Sequence, residues 1–94
     1  MYIINLTYKT SLDQVEALLA EHISWLKQGY EQGFFIASGR KNPRVGGVIL
    51  AKSMERAALD EFLRQDPFQA VANYDITDFQ PSMTTEAFSA LTHI

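Results

Sequence analysis

The sequence predicts a single α+β domain with the element order β-α-β-β-α-β. Three observations predict it: short apolar runs rich in β-branched residues, two segments with apolar residues at three- and four-residue spacing, and breaks containing glycine or proline between them. The chain has 94 residues, 47% of them hydrophobic, and no cysteine. It is therefore long enough to bury one core, and a disulfide framework, a thiolate nucleophile and sulfur-ligated metal sites are excluded.

The first half of the chain is predicted to form a strand, a long helix and a second strand. Tyr2–Tyr8 (YIINLTY) is rich in β-branched and aromatic residues, which is typical of a strand. Ser11 then opens a helix, with Gln14 three residues further on as in a capping box, and Gly33 ends it. The apolar stripe of this helix comprises Val15, Leu18, Leu19, His22, Trp25, Leu26 and Tyr30. Phe34–Ser38 (FFIAS) follows as a short apolar strand.

The middle of the chain is predicted to form a loop, a third strand and a second helix. Gly39–Arg44 (GRKNPR) has the composition of a turn or loop. Val45–Lys52 (VGGVILAK) predicts a strand, in which the two glycines indicate a bulge or a close backbone approach. Ser53 is expected to cap a helix that runs to about Gln65. The inner face of that helix is expected to carry Met54, Ala58, Leu59, Phe62 and Leu63.

The last strand and the tail complete the pattern. Asp66-Pro67-Phe68 predicts a short extra turn, and Asn73–Gln80 (NYDITDFQ) a fourth strand. The resulting order is the ferredoxin-like, or split βαβ, arrangement: a four-stranded antiparallel sheet with two helices on one face. We assign residues 1–81 to this domain and residues 82–94 to a C-terminal appendage with one or two helical turns. The other face of the sheet would carry Ile4, Phe35 or Val48, depending on register, and predicts a homodimer formed through the sheet.

Charge is unevenly distributed along the chain. The net charge of the chain is −3. Residues 32–54 contain four cations and no acid, so the rest of the chain has a net charge of −7. This basic window is either a solvated loop or a local attractor for a small anion such as a carboxylate. The negative total, together with a third strand that lacks aromatic residues, argues against a nucleic-acid partner. No apolar run is long enough for a membrane span, and no secretory signal pattern is visible, so a cytoplasmic location is expected.

Three groups of residues are candidates for chemistry. His22 lies on the apolar stripe of the first helix, where it is either a general base with a carboxylate partner or a core histidine bonded to the backbone. Asp66 has a sufficient role as the N-cap before Pro67, and a second role would require that it faces His22. The Ser38-Gly39-Arg40 segment either holds an anion or simply makes a tight turn. The two histidines are far apart in sequence, so no metal site is expected.

Together these pieces resemble the YciI-like (YCII-related) proteins. The residues that carry the resemblance are His22 within EHISWL, the run FIASGRKNPRVGGVIL, and the Asp66-Pro67-Phe68 turn, and it covers roughly residues 1–81. The resemblance implies a dimerising ferredoxin-like subunit, akin to the muconolactone-isomerase-type dimeric barrels, with a site on a histidine and an aspartate that match His22 and Asp66. Many relatives have a proline after the small-residue turn and acids in the next loop. Here Arg40 and a basic loop follow, which favours an anionic ligand.

Three functional hypotheses remain open. In the first, His22 removes a proton next to a carboxylate or lactone carbonyl, Asp66 orients the ring, and Arg40 or a backbone N–H near Gly39 holds the negative charge of the substrate. This would be an isomerase or lyase that needs no cofactor. In the second, the protein is a sensor or accessory subunit that uses the same His22/Asp66 pocket, with Ser38, Gly39 and Arg40 as candidate ligand contacts, to bind an anionic metabolite without chemistry. In the third, the protein is a structural dimer with an incidental pocket.

Overall fold

The structure is a computed structural model that describes all 94 residues, and it confirms the predicted element order. The strands and helices are β1 (Tyr2–Tyr8), α1 (Leu12–Glu31), β2 (Phe35–Arg40), β3 (Gly46–Ala51), α2 (Arg56–Arg64) and β4 (Ala72–Asp78). A 3₁₀ turn at Pro67–Ala70 precedes β4, and further 3₁₀ turns span Glu86–Thr92. The four strands are antiparallel and lie in the order β2-β3-β1-β4, which is the ferredoxin-like arrangement.

Both helices cover the same face of the sheet. Ile4 lies at the centre of this covered face, opposite Ile49 on β3 and Ile76 on β4, and it is fully buried. Residues directly opposite each other in a sheet project to the same side, and neighbouring residues on a strand project to opposite sides. Val48 lies opposite Asn5, the neighbour of Ile4, so it projects to the uncovered face. The sequence prediction for the uncovered face therefore holds for Val48 and is wrong for Ile4 and Phe35, because the observed register directs both into the core under the helices.

An aromatic cluster joins α1, α2 and the edge strand β2. The rings of Trp25, Phe35 and Phe62 lie 5.0–5.6 Å apart by their centroids, and the Trp25 indole Nε1 donates a hydrogen bond of 3.0 Å to the Phe62 carbonyl. Gly29 on α1 admits the Phe35 ring, since a Cβ atom there would lie 2.3 Å from it. This cluster fixes the position of α1 over the sheet, and α1 carries His22.

Strand β2 contains a β-bulge that changes the direction of its side chains. Phe35 pairs with Ala51 but Ala37 pairs with Leu50, so one extra residue is inserted between them. Without the bulge Ser38 would face away from the helices. With it, Ser38 lies opposite Ile49 and projects to the covered face. The expected bulge at the glycines of β3 is thus on β2 instead. The expected close approach is confirmed at Gly46, where a Cβ atom would lie 1.8 Å from the Leu6 carbonyl oxygen.

Both helix starts differ in detail from the sequence prediction. Ser11 is the N-cap of α1, but its side chain makes no capping hydrogen bond, so the capping box with Gln14 does not form. Helix α2 begins at Arg56, so Met54 precedes it instead of lying on its inner face. The physical reason is that the Ser53 hydroxyl is used elsewhere: it accepts from the Met1 amino group at 3.2 Å and donates to the Ile94 carbonyl at 3.1 Å.

The C-terminal segment packs against the first residues of the same chain. Its last residues, Leu91–Ile94, line a groove together with Met1, Tyr2 and Asp78. These residues lie at the end of β1 and β4 that is remote from Tyr8, so the tail packs at the opposite end of the sheet from His22. None of the helices combines the length and the apolar character that crossing a membrane requires.

Candidate functional site

The structure brings His22 and Asp66 into direct contact, although they are 44 positions apart in sequence. His22 Nδ1 and Asp66 Oδ1 are 2.7 Å apart, and both residues are buried. His22 projects from the inner face of α1, and Asp66 is the residue between α2 and the 3₁₀ turn at Pro67–Ala70. The histidine therefore has a carboxylate partner and not the backbone hydrogen bond of the alternative interpretation.

Asp66 accepts hydrogen bonds from three donors. Its Oδ1 accepts from His22 Nδ1 and, at 2.9 Å, from the Phe68 N–H, which is the N-cap role expected from the sequence. Its Oδ2 accepts from the Tyr74 hydroxyl on β4. The Phe68 N–H is an obligatory donor and an ionised carboxylate only accepts, so this arrangement favours the His22 tautomer that carries its proton on Nδ1.

Tyr74 donates to this carboxylate as a neutral phenol. Burial raises the pKa of the Tyr74 hydroxyl far above its ordinary value, and the nearby negative charge of Asp66 raises it further. The phenol therefore keeps its proton and stays a donor. No local sequence signal links Tyr74 to the site, because the link depends on β4 placing it beside the 3₁₀ turn.

Two aromatic rings pack against the imidazole of His22. The Phe68 ring stacks on His22 with a centroid distance of 3.7 Å and an interplanar angle of 3°, and Trp25 lies 5.7 Å away at 27°. The second ring nitrogen, Nε2, makes no hydrogen bond within the chain and is not shielded from solvent. The ring is thus held in one orientation, with Nε2 free to meet a ligand.

A cavity of about 180 Å³ lies next to His22. Most of its wall is apolar, and its polar side chains come from His22, Ser38, Arg40, Arg44 and Tyr8. No aspartate or glutamate lines it. The volume is below the roughly 300–1,000 Å³ of sites for drug-sized ligands. The cavity therefore suits a small molecule with an apolar part and a negatively charged group.

The cations of the basic window are divided among different places. Arg40 and Arg44 line the cavity, and Arg44 also forms an ion pair with Glu16 on α1. Hydrogen bonding to Glu16 raises the pKa of the Arg44 guanidinium above its ordinary value. Lys41 instead donates to the Thr7 hydroxyl at 3.2 Å, on the uncovered face of the sheet. Lys52 follows β3 at the far end of the sheet. Two of the four cations therefore serve the cavity.

The Ser38-Gly39-Arg40 segment lies at the cavity but does not form the expected turn. It belongs to β2, and a Cβ atom at Gly39 would meet no other atom within 4 Å, so no tight turn requires this glycine. The bond from Lys41 N–H to the Gly46 carbonyl continues the β2–β3 register. Since hydrogen-bonded positions alternate in an antiparallel pair, the Gly39 N–H is directed to β3 and is not free for an anion. Ser38 Oγ is 2.8 Å from the Tyr30 hydroxyl.

Sequence reasoning missed four features of this site. They are the Tyr74 donor, the stacked Phe68 ring, the bulge in β2 and the position of Arg44. Of these four features, only the position of Arg44 was indicated by the sequence, because Arg44 belongs to the basic window 32–54. Nowhere in the structure do three or more histidine, aspartate or glutamate side chains cluster so as to hold a metal ion.

The fold and the site together define a small ferredoxin-like α+β domain with a buried histidine–aspartate pair beside a cationic cavity. The chain belongs to the family of the YCII-related domain, whose model matches residues 1–80. This confirms the family that the sequence resembles. A search of curated proteins found no match to the sequence.

Proposed function

We propose that the cavity binds a small anionic metabolite, either a carboxylate or a lactone that bears a carboxylate, and that His22 acts on it as a general base. The observation that carries this proposal is the 2.7 Å contact between His22 Nδ1 and Asp66 Oδ1, in a histidine that lines the cavity and whose Nε2 has no hydrogen-bond partner in the chain. A histidine bonded in this way has one nitrogen committed as donor and the other available as acceptor. The arginines at the cavity favour a negatively charged ligand.

The proposed reaction begins with proton abstraction at the carbon next to the carbonyl group. The C–H bond breaks, an N–H bond forms at His22 Nε2, and the electron pair moves into an enolate. Asp66 stabilises the imidazolium that results, because its carboxylate already accepts from Nδ1. Return of the proton to another carbon gives an isomerase, and loss of a leaving group from the adjacent carbon gives a lyase. Abstraction of this kind contributes typically about 10²–10⁴-fold to a rate.

Hydrogen–deuterium exchange tests the proposal without knowledge of the substrate. The protein is incubated in D₂O with a panel of small carboxylates and lactones, each with a C–H next to its carbonyl group, and the proton signal of that group is followed by NMR. We expect at least one compound to lose this signal with the wild type and to keep it with His22→Gln. His93→Gln is the matched control, because His93 is an exposed histidine in the tail that should leave exchange unchanged.

The same experiment distinguishes the rival functions. A compound that shifts the ring signals of His22 but keeps its α-proton and is recovered unchanged would identify a binding protein. If no compound shifts those signals, and His22→Gln changes only the melting temperature, the pocket is incidental and the domain is structural.

We propose further that the protein is a homodimer formed through the uncovered sheet face. This face carries Ile3, Val48 and Leu50, and it includes Asn5, whose Oδ1 is shielded from solvent but has no hydrogen-bond partner within the chain. A second copy would cover these apolar residues.

Light scattering after size-exclusion chromatography tests the dimer. We expect twice the 10.6 kDa chain mass for the wild type and the single-chain mass for Val48→Asp. Ala20→Asp, on the exposed side of α1, should leave the dimer intact. A wild-type protein of single-chain mass at micromolar concentration would refute the dimer. The cytoplasmic location stays a prediction.

A further inference from the structure

Arg44 is held at the cavity by one of its three guanidinium nitrogens. Nη1 pairs with the Glu16 carboxylate on α1, and the side chain is 24% exposed. The residue belongs to the connection between β2 and β3, where it follows Pro43 and precedes Val45. Glu16 thus ties the guanidinium to α1, the helix that also carries His22.

The other two nitrogens of Arg44 have no charged acceptor. Nε and Nη2 are both buried, and neither makes a hydrogen bond of normal geometry, although the Tyr8 hydroxyl lies close enough to the guanidinium to add to the rise in its pKa that Glu16 causes. These two atoms form one edge of the planar guanidinium, and their N–H groups point in parallel. This edge matches the two oxygens of a carboxylate in a bidentate pair. A buried charged donor without an acceptor is costly, so an arriving carboxylate would relieve a cost that the folded chain already bears.

We propose that Arg44 is the residue that receives the carboxylate of the ligand, through a bidentate pair with its Nε and Nη2 edge. This assignment rests on the proposed anionic ligand of the His22 cavity. The two nitrogens are buried although Arg44 lines the cavity, so the pair requires a rotation of the side chain that keeps the Nη1–Glu16 contact and presents this edge to the ligand. Glu16 acts as a positioning residue, because its ion pair with Nη1 leaves the opposite edge for the ligand.

Arg40 has a different role in this arrangement. It lines the cavity from the exposed edge strand β2, and no acidic side chain orients it. A mobile surface cation attracts anions at long range but contributes little to a defined contact, because it must lose conformational freedom and is screened by salt. Specific recognition therefore falls to Arg44, and Arg40 contributes to the local potential.

Titration with benzoate, and with benzamide as its neutral analogue, tests the assignment. Two NMR signals are followed: the ring C–H groups of His22 and the Nε–H group of Arg44. We expect benzoate to shift both signals in the wild type and benzamide to shift neither at the same concentration. Arg44→Lys keeps the charge but loses the fork, so the dissociation constant for benzoate should rise about tenfold. Arg64→Lys is the matched control, because Arg64 is an exposed arginine on α2 that does not line the cavity, and its benzoate affinity should stay within about twofold of the wild type.

Each outcome bears on the proposal. Unchanged benzoate affinity in Arg44→Lys would overturn the assignment, and so would a benzoate titration that leaves the wild-type Arg44 signal in place. If Arg44→Lys does not fold, the response of the wild-type Arg44 Nε–H signal to benzoate still tests the assignment. If benzoate shifts the Arg44 signal but no carboxylate exchanges its α-proton, the assignment of Arg44 holds and the proposed proton abstraction fails.

Discussion

Replacing Asp66 with asparagine removes the negative charge of this residue and keeps nearly the same side-chain shape. In the wild type Oδ1 accepts from both His22 Nδ1 and the Phe68 N–H, while Oδ2 accepts from the Tyr74 hydroxyl. The asparagine must keep its oxygen at the Oδ1 position, because its amide group there would point N–H toward N–H of Phe68. Its NH₂ group then faces Tyr74, whose hydroxyl has to turn and accept.

The expected loss of stability follows from these three bonds. A hydrogen bond to a charged group is worth about 1 kcal/mol more than a neutral one, which gives about 3 kcal/mol for the three. The neutral amide is less costly to bury than the carboxylate, and this offsets part of the loss. We therefore expect Asp66→Asn to lower the free energy of unfolding by about 1–3 kcal/mol. Asp66→Ala leaves all three donors without an acceptor and should cost more, about 3–5 kcal/mol.

Urea denaturation followed by the fluorescence of Trp25 measures this difference, since Trp25 is the only tryptophan and is buried near His22. All variants are compared at one protein concentration, because a dimer would link stability to concentration. Asp78→Asn, at the exposed end of β4, is the matched control and should change stability by less than about 0.5 kcal/mol.

The ¹⁵N signals of the His22 ring give the decisive second readout. Because the oxygen stays at the Oδ1 position, Asp66→Asn should keep the neutral His22 ring protonated on Nδ1. Any loss of proton exchange in this variant then reflects the missing charge beside the imidazolium. A variant as stable as the wild type, or a His22 ring protonated on Nε2 instead, would refute this reasoning.

Two further predictions concern the strands around the site. The unfolded-state Tyr74 phenol ionises at its ordinary pKa, while burial and Asp66 raise its pKa in the folded state. Stability should therefore fall as pH rises above about 10, and Tyr74→Phe should flatten this alkaline fall in urea midpoints; an equal fall in both proteins would contradict it. Gly46→Ala forces a Cβ atom onto the Leu6 carbonyl and should lower the melting temperature strongly or prevent folding, whereas Gly39→Ala, with open space around it, should stay close to wild type; similar melting curves for the two variants would contradict the close approach.

The element order and the family could be predicted because they depend on signals that are local in sequence. Apolar periodicity defines α1 and β1, and the Asp66-Pro67 pair defines the 3₁₀ turn together with its N-cap. The resemblance then pointed to His22 and Asp66, and the structure places them in contact. Their catalytic role stays a proposal.

The directions of side chains near the cavity could not be predicted in the same way. Ser38 faces the cavity only because β2 has a bulge before it, and FFIAS has no glycine or other signal at that position. Gly39 was expected to make a turn because it follows a short apolar run, but the strand continues through it. Arg44 depends on its pairing with Glu16, which lies on another element, so its place follows from tertiary packing alone.

In the proposed site, the side chain of His22 is held by more contacts than the side chain of Arg44. His22 is held by Asp66 and by the stacked Phe68 ring, so its position is set before a ligand arrives. Arg44 has one fixed contact, to Glu16, and two unpaired donors on a loop. Arg44→Lys should therefore change benzoate affinity while the ¹⁵N pattern of the His22 ring stays as in the wild type, and Asp66→Asn should abolish α-proton exchange while benzoate affinity changes by less than about threefold. If both variants lose affinity and exchange together, the two groups act as one unit, and the division between recognition by Arg44 and chemistry by His22 is wrong.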